Sequence, residues 1–79
     1  MNNFLKFETV INRTALSRST LHLRVKQGLL TPPVRLSSRC SVWPEHEISA
    51  INAARIAQKS DDEIRTLVKQ LQEKRVALV

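Results

Sequence analysis

Gly28 is the only glycine in the chain, and Pro32 and Pro33 follow close behind it. Together they impose the sharpest break a chain like this can carry. Helices commonly end on a left-handed residue, which glycine adopts with least strain. Two consecutive prolines lack amide donors and fix φ, so no helix runs through them. The break divides 79 residues into a segment that reads as two short helices and one that must begin again in another conformation. A chain of this length has room for one domain and buries too little surface to build a deep active-site cavity.

Ahead of the break, Phe4 to Phe7 reads as a short strand or extended arm, and Glu8 to Thr14 as a short helix with Val10 and Ile11 facing inward. Ala15-Leu16-Ser17 is a tight turn. Ser17 suits the N-cap of a second helix, Arg18 to Gln27, because its hydroxyl can accept from an unpaired first-turn amide. Leu21 and Val25, four apart, form that helix's buried stripe. Behind the break, Val34-Arg35-Leu36 and Cys40-Ser41-Val42-Trp43 alternate apolar and polar residues on either side of Ser37-Ser38-Arg39, the pattern of a β-hairpin. Trp43 is expected beneath it as the largest core side chain. Pro44 suits the first position of a third helix, with Glu45 and Glu47 complementing its dipole. That helix is expected to reach about Gln58 and to bury Ile48, Ile51 and Ile56. Ser60 and Glu63 have the spacing of a capping box. They open a final helix from Asp61 to about Ala77 with Ile64, Leu67, Val68, Leu71 and Leu78 as its stripe.

The charge is one-sided. Met1 to Trp43 carries seven basic residues and the single acid Glu8, whereas Pro44 to Val79 carries six of each. The whole net charge of +6 therefore belongs to the first half, the electrostatic footprint of a polyanion partner. The lone cysteine, Cys40, has no partner for a disulfide or zinc site, and His22 and His46 are isolated. No nucleophile–base pair, ligand cluster or phosphate loop is present, so neither an enzyme nor a cofactor is expected. The first residues lack a signal peptide's apolar run and no stretch is long enough to span a bilayer, so a cytoplasmic, nucleoid-associated protein is expected.

Two short helices joined by a three-residue turn make a helix-turn-helix, in which the first braces the second against a major groove. On a wheel anchored at Leu21 and Val25, the far side of the second helix holds Ser19, Leu23 and Lys26, with His22 and Gln27 on its flanks. Ser19, His22 and Lys26 are expected to reach the groove without supporting the fold. Polar side chains there can meet base edges or phosphates, and an outward leucine can touch a thymine methyl. The hairpin tip, Ser37, Ser38 and Arg39 with Arg35 nearby, suits a wing that reaches phosphates or the minor groove. The candidate DNA-contacting residues are therefore Ser17, Arg18, Ser19, Thr20, His22, Leu23, Arg24 and Lys26 on the helix, and Arg35, Ser37, Ser38 and Arg39 on the wing.

Residues 14–21 (TALSRSTL), then Lys26-Gln27-Gly28, Pro33 to Leu36, Arg39, Trp43-Pro44-Glu45 and Glu47-Ile48 resemble the AlpA-like phage regulatory proteins. The resemblance covers roughly Phe4 to Ala57. It implies a mainly α fold with a small β-hairpin: a winged helix-turn-helix of the MerR and excisionase type, plus a C-terminal amphipathic helix. It also implies a prophage or genomic-island protein that binds double-stranded DNA, as a transcriptional regulator or as an excisionase (recombination directionality factor) acting with a tyrosine recombinase (integrase). Three features depart from the family pattern. Ala15 stands where a turn glycine is usual, glycines usual near Ser37 and Val42 are missing, and Leu23-Arg24 replaces an arginine followed by an apolar residue.

Two parts are expected: a DNA-binding domain over residues 1–59, and a C-terminal helix over 60–79. That helix packs on the domain or on a second protomer, giving a homodimer or cooperative assembly on DNA, and is expected to matter more for assembly than for folding of the DNA-binding half. A competing reading makes the chain a protein-interaction module, an antitoxin or adaptor, working through this last helix. Arg75 interrupts the clean seam such a role would use.

Overall fold

The computed structural model describes residues 3–77. The order is β1 (Phe4–Lys6), α1 (Phe7–Thr14), α2 (Arg18–Lys26), β2 (Val34–Ser37), β3 (Cys40–Pro44), α3 (Glu45–Ile56) and α4 (Asp61–Ala77). This is a winged helix-turn-helix with a C-terminal helix, and its sheet is larger than a hairpin. The strands are antiparallel in the order β1-β3-β2, with Leu5 opposite Trp43 and Lys6 opposite Val42. β1 therefore ties the start of the helix-turn-helix to the base of the wing.

Ladder pairing also explains where α3 begins. Pro44 lies opposite Phe4 and is held extended (φ −62°, ψ 133°), so it is the N-cap and Glu45 the first helical residue. The Glu45 amide donates back to the Asn3 carbonyl at 2.8 Å. The expected burial of Ile56 does not occur: its side chain is 82 % exposed. The inward face of α3 carries Glu47, Ile48 and Ile51, and five residues beyond Ile51 the helix has turned well away from the core.

Caps define the other helix ends. The Ser17 hydroxyl accepts from the Thr20 amide at 3.2 Å to start α2. At its end Gly28 (φ +77°) donates to the Val25 carbonyl, and Leu29 to that of Arg24, the paired bonds of a Schellman motif. The same motif closes α3 with Gln58 (φ +61°) in the left-handed position, and Ala15 (φ +58°) closes α1. Ser60 and Glu63 exchange reciprocal bonds, the Ser60 amide donating to Glu63 at 3.1 Å and the Glu63 amide to Ser60 at 3.2 Å. Hydrogen bonding to the Ser60 amide, then to its hydroxyl, holds the Glu63 carboxyl below the usual carboxylate range.

One core joins every layer. Leu5, Val10, Leu21, Leu29, Leu30, Trp43, Ile48 and Ile51 meet Ile64, Val68 and Leu71 of α4, with Leu67 half-buried at the margin. Leu78 lies outside the described residues. The Trp43 indole donates to the Thr31 carbonyl at 2.7 Å, fixing the loop after Gly28 against the sheet.

The far end of α4 is anchored by charge. Glu47 is fully buried, and Arg75 meets it bidentately, Nε to Oε2 at 2.7 Å and Nη2 to Oε1 at 2.6 Å. Arg75 Nη2 also donates to the Pro32 carbonyl at 2.7 Å. The residue that interrupts the apolar seam is thus the partner of a carboxylate that helix-dipole reasoning places at a helix surface.

Removing one member of a buried pair leaves the other charge uncompensated, whereas an apolar pair of similar volume is often tolerated. Arg75→Ala is expected to cost about 3 kcal/mol, a large share of what a small domain has, and Glu47→Met/Arg75→Leu to recover most of it. Urea denaturation of both variants checks this, and a double variant as unstable as the single one would refute it. Ala15→Gly is expected to raise stability by up to about 1 kcal/mol, because a left-handed alanine is strained by roughly that amount. Its melting temperature provides the check.

Candidate nucleic-acid interface

α2 turns Leu21 fully inward and holds Val25 half-buried, which leaves Ser19, His22, Leu23 and Lys26 exposed. Among the described residues Lys26 has no acidic partner within 4 Å, and Leu23 is 50 % exposed. The outer face of the helix is therefore a hydroxyl, an aliphatic side chain and an ammonium with no competing internal contact.

The flanks are more committed. The His22 ring stacks on Phe7, centroids 5.2 Å apart with planes at 29°, and Phe7 in turn meets Trp43 at 5.9 Å. The Arg18 guanidinium lies over the same ring, 4.7 Å from its centroid, and pairs with Glu8. His22 is thus exposed and also braces the helix, and Arg18 enters any contact already paired. Ser17 and Thr20 cap the helix, the Ser17 hydroxyl donating to Thr20 Oγ1 at 2.8 Å. Arg24 lies on the opposite flank. It lines a cleft of ≈ 250 Å³ with Thr14, Leu16, Ile51 and Arg55, rather than standing on the outer face.

Gln27 is engaged through its backbone. Arg65 of α4 donates from Nε to the Gln27 carbonyl at 3.0 Å, so a guanidinium closes the C-terminal end of α2 where the helix dipole favours a cation. The last helix is thereby tied to the end of the exposed one. Asn52 of α3 does the same for α1, donating to the Arg13 carbonyl at 3.0 Å.

The wing presents Arg35, Ser37, Ser38 and Arg39, all exposed. β2 extends through Ser37, so the turn is Ser38-Arg39 alone, and the Arg39 amide donates to Ser37 Oγ at 3.4 Å. The β2–β3 register slips by one residue: Arg35 faces Ser41, yet Ser37 faces Cys40. Leu36 is the extra residue of this bulge and is 51 % exposed. Strict alternation, which puts Leu36 on the inner face, does not reveal this.

Ion pairing separates the engaged charges from the free ones. Glu8, Glu45, Glu47, Asp61, Asp62 and Glu63 are each paired, with Arg18, Arg13, Arg75, Arg55, Arg65 and Lys59. Among the described residues the cations left without an acidic partner in the first half are Lys6, Arg24, Lys26, Arg35 and Arg39. Lys6, on the exposed edge of β1 and opposite Val42, extends this set beyond the residues singled out from the sequence.

A family model described as prophage CP4-57 regulatory protein (AlpA) matches residues 3–55. The chain belongs to the AlpA family. The match runs from the start of β1 almost to the end of α3, and so takes in the helix-turn-helix and the whole wing. AlpA-family chains are prophage regulatory proteins. No curated protein and no solved structure matches this chain significantly. Within the AlpA pattern, Ala15 keeps the left-handed conformation that glycine usually supplies at this turn.

The stacking of His22 separates it from its neighbours. His22→Ala is expected to lower stability by about 1 kcal/mol through the lost contact with Phe7. Ser19→Ala and Lys26→Ala should each stay within about 0.5 kcal/mol of the parent. Thermal melts of the three single variants provide the comparison, and equal stability in all three would mean that the His22 ring contributes nothing.

Proposed function

We propose that this AlpA-family protein is a sequence-specific double-stranded DNA-binding regulator of a prophage or genomic island. In this reading α2 enters the major groove and the wing lies along phosphates or in the minor groove. The observation that carries it is the placement of the unpaired cations. Lys26, Arg35 and Arg39 project from α2 and the wing, where no acid competes for them, while five of the six acids of the second half are paired elsewhere. Such an array neutralises phosphates and positions the protein, whereas discrimination falls to side chains that meet base edges. Ser19, Leu23 and Lys26 have the position and chemistry for that, with His22 at the rim.

The same contacts serve a regulator at a promoter or a recombination directionality factor at an attachment site. The family's description favours the first. The adaptor reading is less favoured, because Ile64, Val68 and Leu71 of α4 pack into the domain's own core.

Binding is expected to weaken steeply with salt, with a slope of log K against log salt of about −4 to −5 if the five unpaired first-half cations meet phosphates. Arg35→Ala and Arg39→Ala should each weaken binding to all duplexes alike and flatten the slope by about one unit. Ser19→Ala/Leu23→Ala/Lys26→Ala should abolish selection of a preferred site from a random-sequence duplex pool while barely changing the melting temperature. A slope near zero, or a triple variant that selects the same site, would overturn the proposal.

A further inference from the structure

Leu36 is the one large apolar side chain that the wing places in solvent, and the sheet spends a register slip to put it there. β2 and β3 pair regularly at Val34–Val42 and Arg35–Ser41, then resume at Ser37–Cys40 with Leu36 as the unmatched residue. A bulge bends its strand and re-aims the extra side chain. The result is a half-exposed leucine between the exposed Arg35 and the exposed tip residues Ser37, Ser38 and Arg39. An aliphatic side chain in that setting gains nothing from water and has no core to join. The flanking guanidiniums have no acidic partner among the described residues.

We propose that Leu36 is a wedge that enters a base step of the minor groove and kinks the duplex. This rests on the DNA-binding reading above. Aliphatic side chains unstack base steps when cations on either side hold the phosphates close, and the bend then brings more of the duplex against the protein. The chemistry selects a deformable target. Pyrimidine–purine steps unstack most cheaply, so the step beneath the wing is TA or CA/TG, and it is selected without a base-edge hydrogen bond from the wing. Arg35 and Arg39 hold the backbone while Leu36 enters the step, so affinity and bending reside in different side chains.

The test uses the full chain and a 30-base-pair duplex of mixed sequence rich in TA steps, carrying a donor and an acceptor dye at its ends. A second copy of the duplex carries 2-aminopurine in the TA steps. The parent protein is expected to raise energy transfer and 2-aminopurine fluorescence together. At protein concentrations that saturate the duplex, Leu36→Ser should lose most of both signals. Leu36→Met should retain both signals, and Arg39→Ala should lose affinity in proportion to its bending. A Leu36→Ser protein that binds and bends like the parent overturns the wedge and leaves DNA binding intact. A Leu36→Ser protein that bends normally but no longer binds adjacent sites cooperatively also overturns it, and makes Leu36 a contact between protomers. If the parent binds no duplex even at low salt, the DNA-binding reading itself fails, and the wedge with it.

Discussion

The rest of the structure depends on a buried ion pair between two helices. Glu47 has no access to water, and Arg75 supplies both of its hydrogen bonds while a third reaches the Pro32 carbonyl. Desolvating a carboxylate is expensive, and two well-aligned guanidinium bonds offset most of that without making the pair a net source of stability. Its value lies in geometry. An apolar stripe lets a helix slide or rotate by a residue, whereas a bidentate pair admits one register. Because Pro32 belongs to the segment between α2 and the wing, the same guanidinium fixes the end of α4, the start of α3 and the approach to the hairpin relative to one another. Arg65, at the other end of α4, fixes the end of α2 through the Gln27 carbonyl.

A second economy concerns acids. In a chain with so few carboxylates, each one that is paired removes a cation from the exposed field. Five of the pairs outside the core lie at helix ends or along helix flanks: Arg13–Glu45, Arg18–Glu8, Arg55–Asp61, Lys59–Glu63 and Arg65–Asp62. Exposed pairs of this kind contribute little to stability. Among the first-half cations they leave unpaired, Lys26, Arg35 and Arg39 stand on the outer face of α2 and the wing.

Local chemistry was legible in the sequence wherever one residue type answers one backbone need. Ser17, Gly28 and the Ser60–Glu63 pair mark helix ends because an unpaired amide or a left-handed residue has few solutions, and each stands where that reasoning puts it. Trp43 was legible as core because nothing else in the chain is large enough to fill the space under the sheet. What could not be read were relations between distant elements. Helical periodicity treats Ile56 as one more apolar position, but a helix that ends just there has already rotated away from the core. Glu47 looks like a dipole-complementing surface acid until α4 brings Arg75 across it, and nothing within either helix announces the other. On the candidate interface, the wheel of α2 gave the outer face correctly from Leu21 and Val25. The bracing of His22 by Phe7 and the slip that exposes Leu36 are tertiary facts with no local signature.

The family match ends at residue 55, whereas the side chains that hold α2 and the wing in place include Ile64, Arg65, Val68, Leu71 and Arg75. The segment shared with relatives is therefore not the segment that closes its own core. A crossover placed at that boundary would join one protein's helix-turn-helix and wing to another's brace. The hybrid would inherit the exposed faces of α2 and the wing and still misplace them unless the incoming helix offered a cation to the Gln27 carbonyl and a guanidinium to Glu47. Compatibility of two side chains on α4, rather than similarity across the matched region, sets which exchanges between such regulators leave a working protein.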